Sequence, residues 1–320
     1  MSTLLLRRSD VARYLDGLLM LNDLREAFRA DALGRSVVPQ RAGTPVHAGG
    51  SATVLFPGCL PGVPAYSVKV HAKFPAQQPA IQGTLQLHDL GSGELLAVMD
   101  SGHLTAVRTA ATAALAADVL ARPDARRVAF IGAGAQAAIG LKTLRLVRTL
   151  ERASVYDTDM PRAFAFAQRM YQQLQLPVRQ ADSVAEAVAD ADIVVCATWS
   201  RQAFLEPHML PPGAHVTSLG ADEPGKVELS RALLERARVV VDHRGLALSM
   251  GAVGNVGLGE ESIHAELGEV LAGLKQGRTR PDELTVFSSV GLPFTDLAAA
   301  WSVYLAARED PELQRVDFSA

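Results

Sequence analysis

Three small residues in a fixed spacing, Gly132, Gly134 and Ala137, follow the apolar run Val128-Ala129-Phe130-Ile131. A strand that runs into glycines and then into a helix is the pattern of a dinucleotide-binding turn. The two glycines lack a Cβ, so the chain can turn tightly and a pyrophosphate can approach the backbone, while Ala137 lets helix pack on strand. Free N–H groups where the helix opens, near Ala135, would hold the phosphate. Glycine pairs also occur in ordinary strand-to-helix turns, so the acid that follows matters. The next apolar run, Ser154-Val155-Tyr156, ends in Asp157, at about the spacing that sets an acid on the adenine ribose. Its carboxylate would accept hydrogen bonds from the ribose hydroxyls and repel a 2'-phosphate, which favours NAD over NADP. The alternative is that Asp157 only opens the turn Asp157-Thr158-Asp159 ahead of a helix from Pro161.

Three basic residues sit alone in a largely neutral stretch: Arg41 in VPQRAG, Lys69 in YSVKVH and Arg108 in TAVRTAAT. Each could hold a substrate carboxylate, arginine by a two-pronged contact and lysine as a point charge. A solvated surface charge is the commoner fate of such residues. Lys69 stands out because strand alternation puts it on the face opposite Tyr66, Val68 and Val70. The segment Gly220 to Lys226 follows the apolar run Val216 to Leu219. Ligands of open α/β sheets bind beyond the carboxyl ends of strands, so Asp222 and Lys226 stand where chemistry would occur, with Asp222 a possible base towards an amine or a water. The eight histidines show no ligand spacing and read as surface or capping residues, so no metal site is expected. Cys196, at a strand end, reads as a small buried hydrophobe.

These residues need elements to position them. Ser9-Asp10 and Asn22-Asp23 read as N-caps of two amphipathic helices, the second ending at Gly34. From Pro39 to Asp100, short β-like runs between Gly and Pro imply an antiparallel or mixed sheet. An alanine-rich helix from His103 to Ala121 then leads to the central strand. Beyond it helix and strand alternate, with Ile193 to Ala197, Val216 to Leu219, Val239 to Val241 and Thr285 to Phe287 as further strands, which argues for a doubly wound parallel sheet of the Rossmann kind. Gly251 to Gly259 reads as a flexible loop, and Pro293 to Arg308 as an apolar helix returning to the first domain. The expected division is 1–121 with 290–320 as one α+β domain, and 122–289 as the inserted nucleotide domain.

The whole chain sets bounds on partners. Its 320 residues suffice for two domains. Thirty-one Lys+Arg against 34 Asp+Glu give a formal charge of -3 without like-charge runs, so small molecules are expected as partners, not nucleic acid or a membrane surface. The N-terminal leucines are too few for a signal core, and no run has transmembrane length. Cys59 and Cys196 form no framework. A reducing cytoplasm fits.

Taken in order, PQR around Arg41, SVKV around Lys69, TAVRTAATAALAA around Arg108, FIGAGAQA, VYDTD, SLGADEPGKVEL and VFSSVG resemble the ornithine cyclodeaminase/mu-crystallin family along nearly the whole chain. The resemblance implies a Rossmann domain inserted in a dimerising, substrate-binding domain. It implies that Arg41, Lys69 and Arg108 hold the substrate carboxylate, with Val290 beside the substrate. Thr84, Arg108, Gly132, Gly134, Ala135, Gln136, Asp157, Thr198, Leu219, Lys226 and Ser289 would surround NAD. Asp222 matches the catalytic aspartate and Lys69 shares in the catalysis: hydride would pass from Cα to the nicotinamide, giving an imine. Cyclodeaminases let a distal amine attack that imine, amino-acid dehydrogenases hydrolyse it, and ketimine reductases run hydride the other way. The ornithine enzyme carries an acid where this chain has Val54, and a longer tail beyond the position of Ala320. A buried ammonium needs a partner, so the neutral Val54 points to a small or apolar amino acid or its imine, with ornithine cyclodeaminase as the alternative. Mu-crystallin, which also serves as a non-catalytic binding protein, has Ser in place of Asp222; the intact Asp222 and Lys69 favour an enzyme. Asp157 differs from the Asn-Arg-Thr turn of the NADPH-preferring branch.

Overall fold

The computed structural model describes residues 2–34, 37–318 and 320; Met1, Arg35, Ser36 and Ser319 of the expected first domain lie outside them. By contacts the chain divides into two compact units, Met1–Thr109 with Leu292–Ala320, and Ala110–Gly291. The sequence reading put the change of domain after the alanine-rich helix; the contact division falls inside that helix, Ser101–Leu120.

The first unit is built on a seven-stranded mixed sheet. Its order is Arg315–Val316, Thr3–Leu6, Leu95–Asp100, Ile81–Asp89, Ala65–Lys73, Gly50–Gly58 and Gln40–Val46. Thr3–Leu6 runs parallel to Leu95–Asp100 and every other pair is antiparallel. The helix Gly17–Gly34 buries Met20, Leu21, Leu24, Ala27 and Phe28. It starts well before Asn22-Asp23, because the Asp16 carboxylate accepts the N–H groups of Leu18 and Leu19, both at 2.8 Å, and caps the turn there. In the helix Arg8–Tyr14, Asp10 also acts from inside the first turn, accepting the Arg7 N–H at 2.9 Å. Any acid upstream of an apolar turn looks like a cap; burial of the earlier turn, Met20 and Leu21, decides which one is used. The helix Pro293–Ala307 is buried along most of its length, and Phe294 meets Phe28 edge to face at 5.1 Å.

The second unit holds an eight-stranded sheet in which every pair is parallel. From Arg127–Ile131 the chain moves to one side through Arg152–Tyr156 and Val178–Gln180. It then crosses to the other side with Ile193–Cys196 and His215–Ser218. The order reverses between Arg127–Ile131 and Ile193–Cys196, which is where open α/β sheets bind ligands. Val194, Val216, Val239, Val241 and Val286 are fully buried in one core with Cys196, each side chain contributing roughly 1.5–3 kcal/mol. Cys196 is thus a small core hydrophobe. Residues 251–259 are not a flexible loop: Ala252–Asn255 is a helical turn, and the Asn255 side-chain amide donates to the carbonyls of Glu223, Lys226 and Met250 at 2.8–3.2 Å. The glycines that suggested flexibility serve close packing, since a Cβ on Gly254 would come within 1.7 Å of the Leu248 carbonyl oxygen.

Candidate active site

In the first unit, cross-strand pairing puts Arg41, Leu55, Lys69, Leu85 and Met99 in one row on one face of the sheet. Alternation is inverted relative to the usual pattern: Ser67, Lys69, His71 and Lys73 are buried, whereas Val70 of the same strand is exposed. A solvated charge is therefore the wrong description of Lys69 and Arg108, which are 1% and 5% exposed; Arg41 is half-buried. What makes their burial tolerable is Asp296, from the first turn of Pro293–Ala307. Its carboxylate accepts from Lys69 Nζ at 2.6 Å and from Arg108 Nε at 2.9 Å, and Lys69 Nζ also donates to Thr105 Oγ1 at 3.3 Å. Burial opposes ionisation of Asp296, yet Arg108 and Lys69 together outweigh it and hold the carboxyl below its ordinary range. Burial pushes the Lys69 ammonium down to about 7, with Arg108 adding to the push and Asp296 resisting it. Asp296 was invisible as a site residue in sequence, because an acid in the first turn of an apolar helix reads as a cap.

One expectation about this unit needs correction, and a second residue is placed on the other face. Val54 pairs with Val70 and is exposed, so it stands on the face opposite Lys69 and gives no neutral wall to the Lys69 face. Thr84 also pairs with Val70, and is exposed on that same opposite face, apart from the Lys69 row. A one-residue step along a strand exchanges faces, which motif matching does not resolve.

In the second unit Gly132 has φ +102°, and a Cβ there would come within 2.6 Å of the Ala197 carbonyl oxygen. Gly134 has nothing within 4 Å of where its Cβ would be, and it is the N-cap of the helix Ala135–Val147, to which it brings no capping side chain. Open space at Gly134, where this helix begins, fits a pyrophosphate. Asp157, at the end of Arg152–Tyr156, accepts the Ala133 N–H at 2.8 Å through one oxygen and the Asp159 N–H at 2.9 Å through the other. It does open the turn, and it also ties that turn to the glycine loop. Arg162 lies 3.7 Å from Asp157 and 3.0 Å from Asp159.

Two buried carboxylates that the sequence did not single out hold the ends of neighbouring strands. Glu228 accepts from Thr198 N–H and Oγ1, Ser218 Oγ and Gly220 N–H at 2.7–2.9 Å. That fixes Thr198 and the chain on either side of Leu219. Asp242 accepts from Ser289 Oγ and the N–H groups of Val290 and Gly291 at 2.7–2.9 Å. Burial raises both carboxyls, against the pull of these donors. Their signal lay only in being acids beside apolar runs. Asp222 accepts from Lys226 Nζ at 3.0 Å, and that ammonium lies 4.3 Å from the centre of the Trp199 ring. The histidines depart from a surface role at two places. His215 is buried between Thr285 and Thr217, at 3.0 and 3.1 Å, and His71 is buried in the first unit. His243 does cap a helix, accepting the Leu246 N–H at 3.3 Å.

The model of the ornithine cyclodeaminase/mu-crystallin family matches residues 1–310. The chain belongs to that family. Among curated members, the alanine dehydrogenase of Archaeoglobus fulgidus is 32% identical over 318 residues, 95% of this chain and 95% of its own. An archaeal alanine dehydrogenase dimer solved with bound NAD has a TM-score of 0.93 at 31% identity, covering 99% of this chain and 100% of that one. The Δ1-pyrroline-2-carboxylate reductase of Thermococcus litoralis, solved with NADH and L-proline, has a TM-score of 0.93 at 31% identity, covering 98% and 100%. The all-parallel sheet of this family member is the Rossmann sheet, and the mixed sheet forms the α+β unit in whose chain it is inserted.

Proposed function

We propose that this chain is an NAD-dependent oxidoreductase that moves hydride at the Cα–N bond of an amino acid or of its imine, as a cytoplasmic homodimer. The observation that carries the reading lies in the second unit: the glycine cradle and the Asp222–Lys226 pair both follow the carboxyl ends of strands in one parallel sheet. The family's alanine dehydrogenases and pyrroline carboxylate reductase support it.

Gly132, Gly134, Ala135 and Gln136 hold the pyrophosphate and Asp157 the adenine ribose. Thr198, Leu219, Lys226, Ser289, Arg108 and Thr84 complete the nucleotide contacts, although Thr84 stands apart from the Lys69 face. Held there, NAD would supply the hydride acceptor for oxidation at Cα, and its reduced form the hydride for an imine carbon. Asp222 takes the proton from the substrate amine or activates water, held in register by Lys226. Arg41, Lys69 and Arg108 bind the α-carboxylate, Val290 packs beside the substrate, and Asp296 keeps Lys69 and Arg108 oriented and charged. With Asp296 and Thr105 as its acceptors among the described residues, Lys69 keeps one of three donor directions for the substrate and can donate a proton near neutral pH.

The test follows NADH absorbance with alanine, acidic, apolar and basic amino acids plus NAD, then with cyclic imines, and with keto acids and ammonia, plus NADH. Ornithine stays in the panel because Val54 does not face the Lys69 row. Turnover of an amino or imino acid is expected, and Asp222→Asn lowers kcat by about 10²–10⁴-fold while the protein still binds NAD. Proline and ammonia from ornithine without net NADH would make it a cyclodeaminase; silence across the panel with NAD bound would make it a binding protein.

A further inference from the structure

His71 is a buried side chain that the chemistry above leaves unused. It lies two residues from Lys69 on the same face of Ala65–Lys73, about 7 Å along the strand. It is 4% exposed, and neither ring nitrogen has a hydrogen-bond partner among the described residues. Buried polar atoms in folded proteins are nearly always paired, so two on one ring call for an explanation. The neighbours in its cross-strand row are small: Thr53 on one side, with Gly43 beyond it, and Gly83 on the other. A Cβ on Gly83 would come within 2.7 Å of the His71 Cβ and 2.2 Å of the Val70 carbonyl oxygen. That row therefore brings no charged or amide side chain to the ring nitrogens.

The charge around the ring points to what would pair with those nitrogens. Burial first, and then Lys69, Lys73 and Arg41, hold the imidazole far down, to about 2, and Asp296 alone among the leading influences opposes them. The ring is neutral, with one donor and one acceptor nitrogen, in a field that is mainly positive. An anionic oxygen takes the donor and is favoured by that field. The carboxyl carbons of aspartate and glutamate lie about 4–5 Å apart by ordinary bond lengths. Such a molecule can therefore place one carboxylate on Lys69 and the other at His71.

We propose that His71 is a specificity residue whose ring N–H binds the side-chain carboxylate of an acidic amino acid, or of its imine, whose α-carboxylate is held by Arg41, Lys69 and Arg108. This rests on the functional reading above and narrows its substrate. It also replaces the apolar substrate expected from Val54.

The test compares kcat/KM for aspartate, glutamate, asparagine, serine and alanine in the full-length protein, His71→Val and His71→Asn. The wild type is expected to prefer an acidic substrate over alanine, and His71→Val to reduce that ratio by about 10–100-fold, with His71→Asn between them. Circular dichroism and the melting midpoint report that the variants fold. A ratio that stays constant while all rates fall together marks His71 as a packing residue and overturns the proposal. So does a wild-type preference for alanine, or for serine alone. If nothing turns over, the functional reading fails on its own account. Calorimetric titration of succinate against propionate then still judges His71: tighter succinate binding that His71→Val abolishes supports the proposal, and equal binding sinks it.

Discussion

The two units solve the problem of presenting polar groups in opposite ways. In the second, the chain beyond the strand ends offers backbone and short side chains, and it is held by buried carboxylates. Glu228 gathers four donors and Asp242 three from the segments around Ser289. In the first unit the charges face inward themselves, and a single carboxylate, Asp296, is shared by Lys69 and Arg108. A frame of backbone donors gives rigidity that does not depend on which substrate arrives. A shared counter-ion gives charges whose protonation responds to whatever else is nearby.

The largest effect is expected where the frame itself is broken. Glu228→Ala leaves buried donors on Thr198, Ser218 and Gly220 without their acceptor and lowers unfolding free energy by about 3–5 kcal/mol, read from urea denaturation. A change below about 1 kcal/mol would mean that the frame is redundant and the contrast with Asp296 is false. For the shared counter-ion, the expected change is in pH response. Lys69 acts protonated, so kcat/KM falls as pH rises through about 7. Removing the adjacent negative charge in Asp296→Asn makes the protonated form less favourable, so that alkaline limb moves below 7 and KM rises by roughly tenfold. A limb that stays in place assigns the titration to another group. The same sign governs stability. The Lys69 ammonium is lowered on folding, so its cost is felt in full below about 7 and is relieved as pH rises towards its ordinary 10.5. The smallest effect is expected at Asp157, whose carboxylate is already engaged by Ala133 and Asp159. Asp157→Ser, leaving Arg162 nearby, raises the NADP-to-NAD ratio of kcat/KM by several-fold, on the order of 1 kcal/mol. If the ratio does not move, Asp157 is a turn residue.

Much of the second unit was legible in the chain because its chemistry is local. The spacing Gly132, Gly134, Ala137 demands a turn with no Cβ in the way, and the left-handed Gly132 and the open side of Gly134 follow from that demand. Alternating apolar runs specified a parallel sheet for the same reason: strands covered on both faces must be apolar throughout. Tertiary structure decided what depends on register and on distant partners. It turned Val54 and Thr84 away from Lys69, because neighbouring residues on a strand point to opposite faces. It brought Asp296 to Lys69 from 227 residues away. It left His71 buried without a hydrogen-bond partner among the described residues. None of these is encoded by a residue type at a spacing; each is set by which strands pair and which helix covers them.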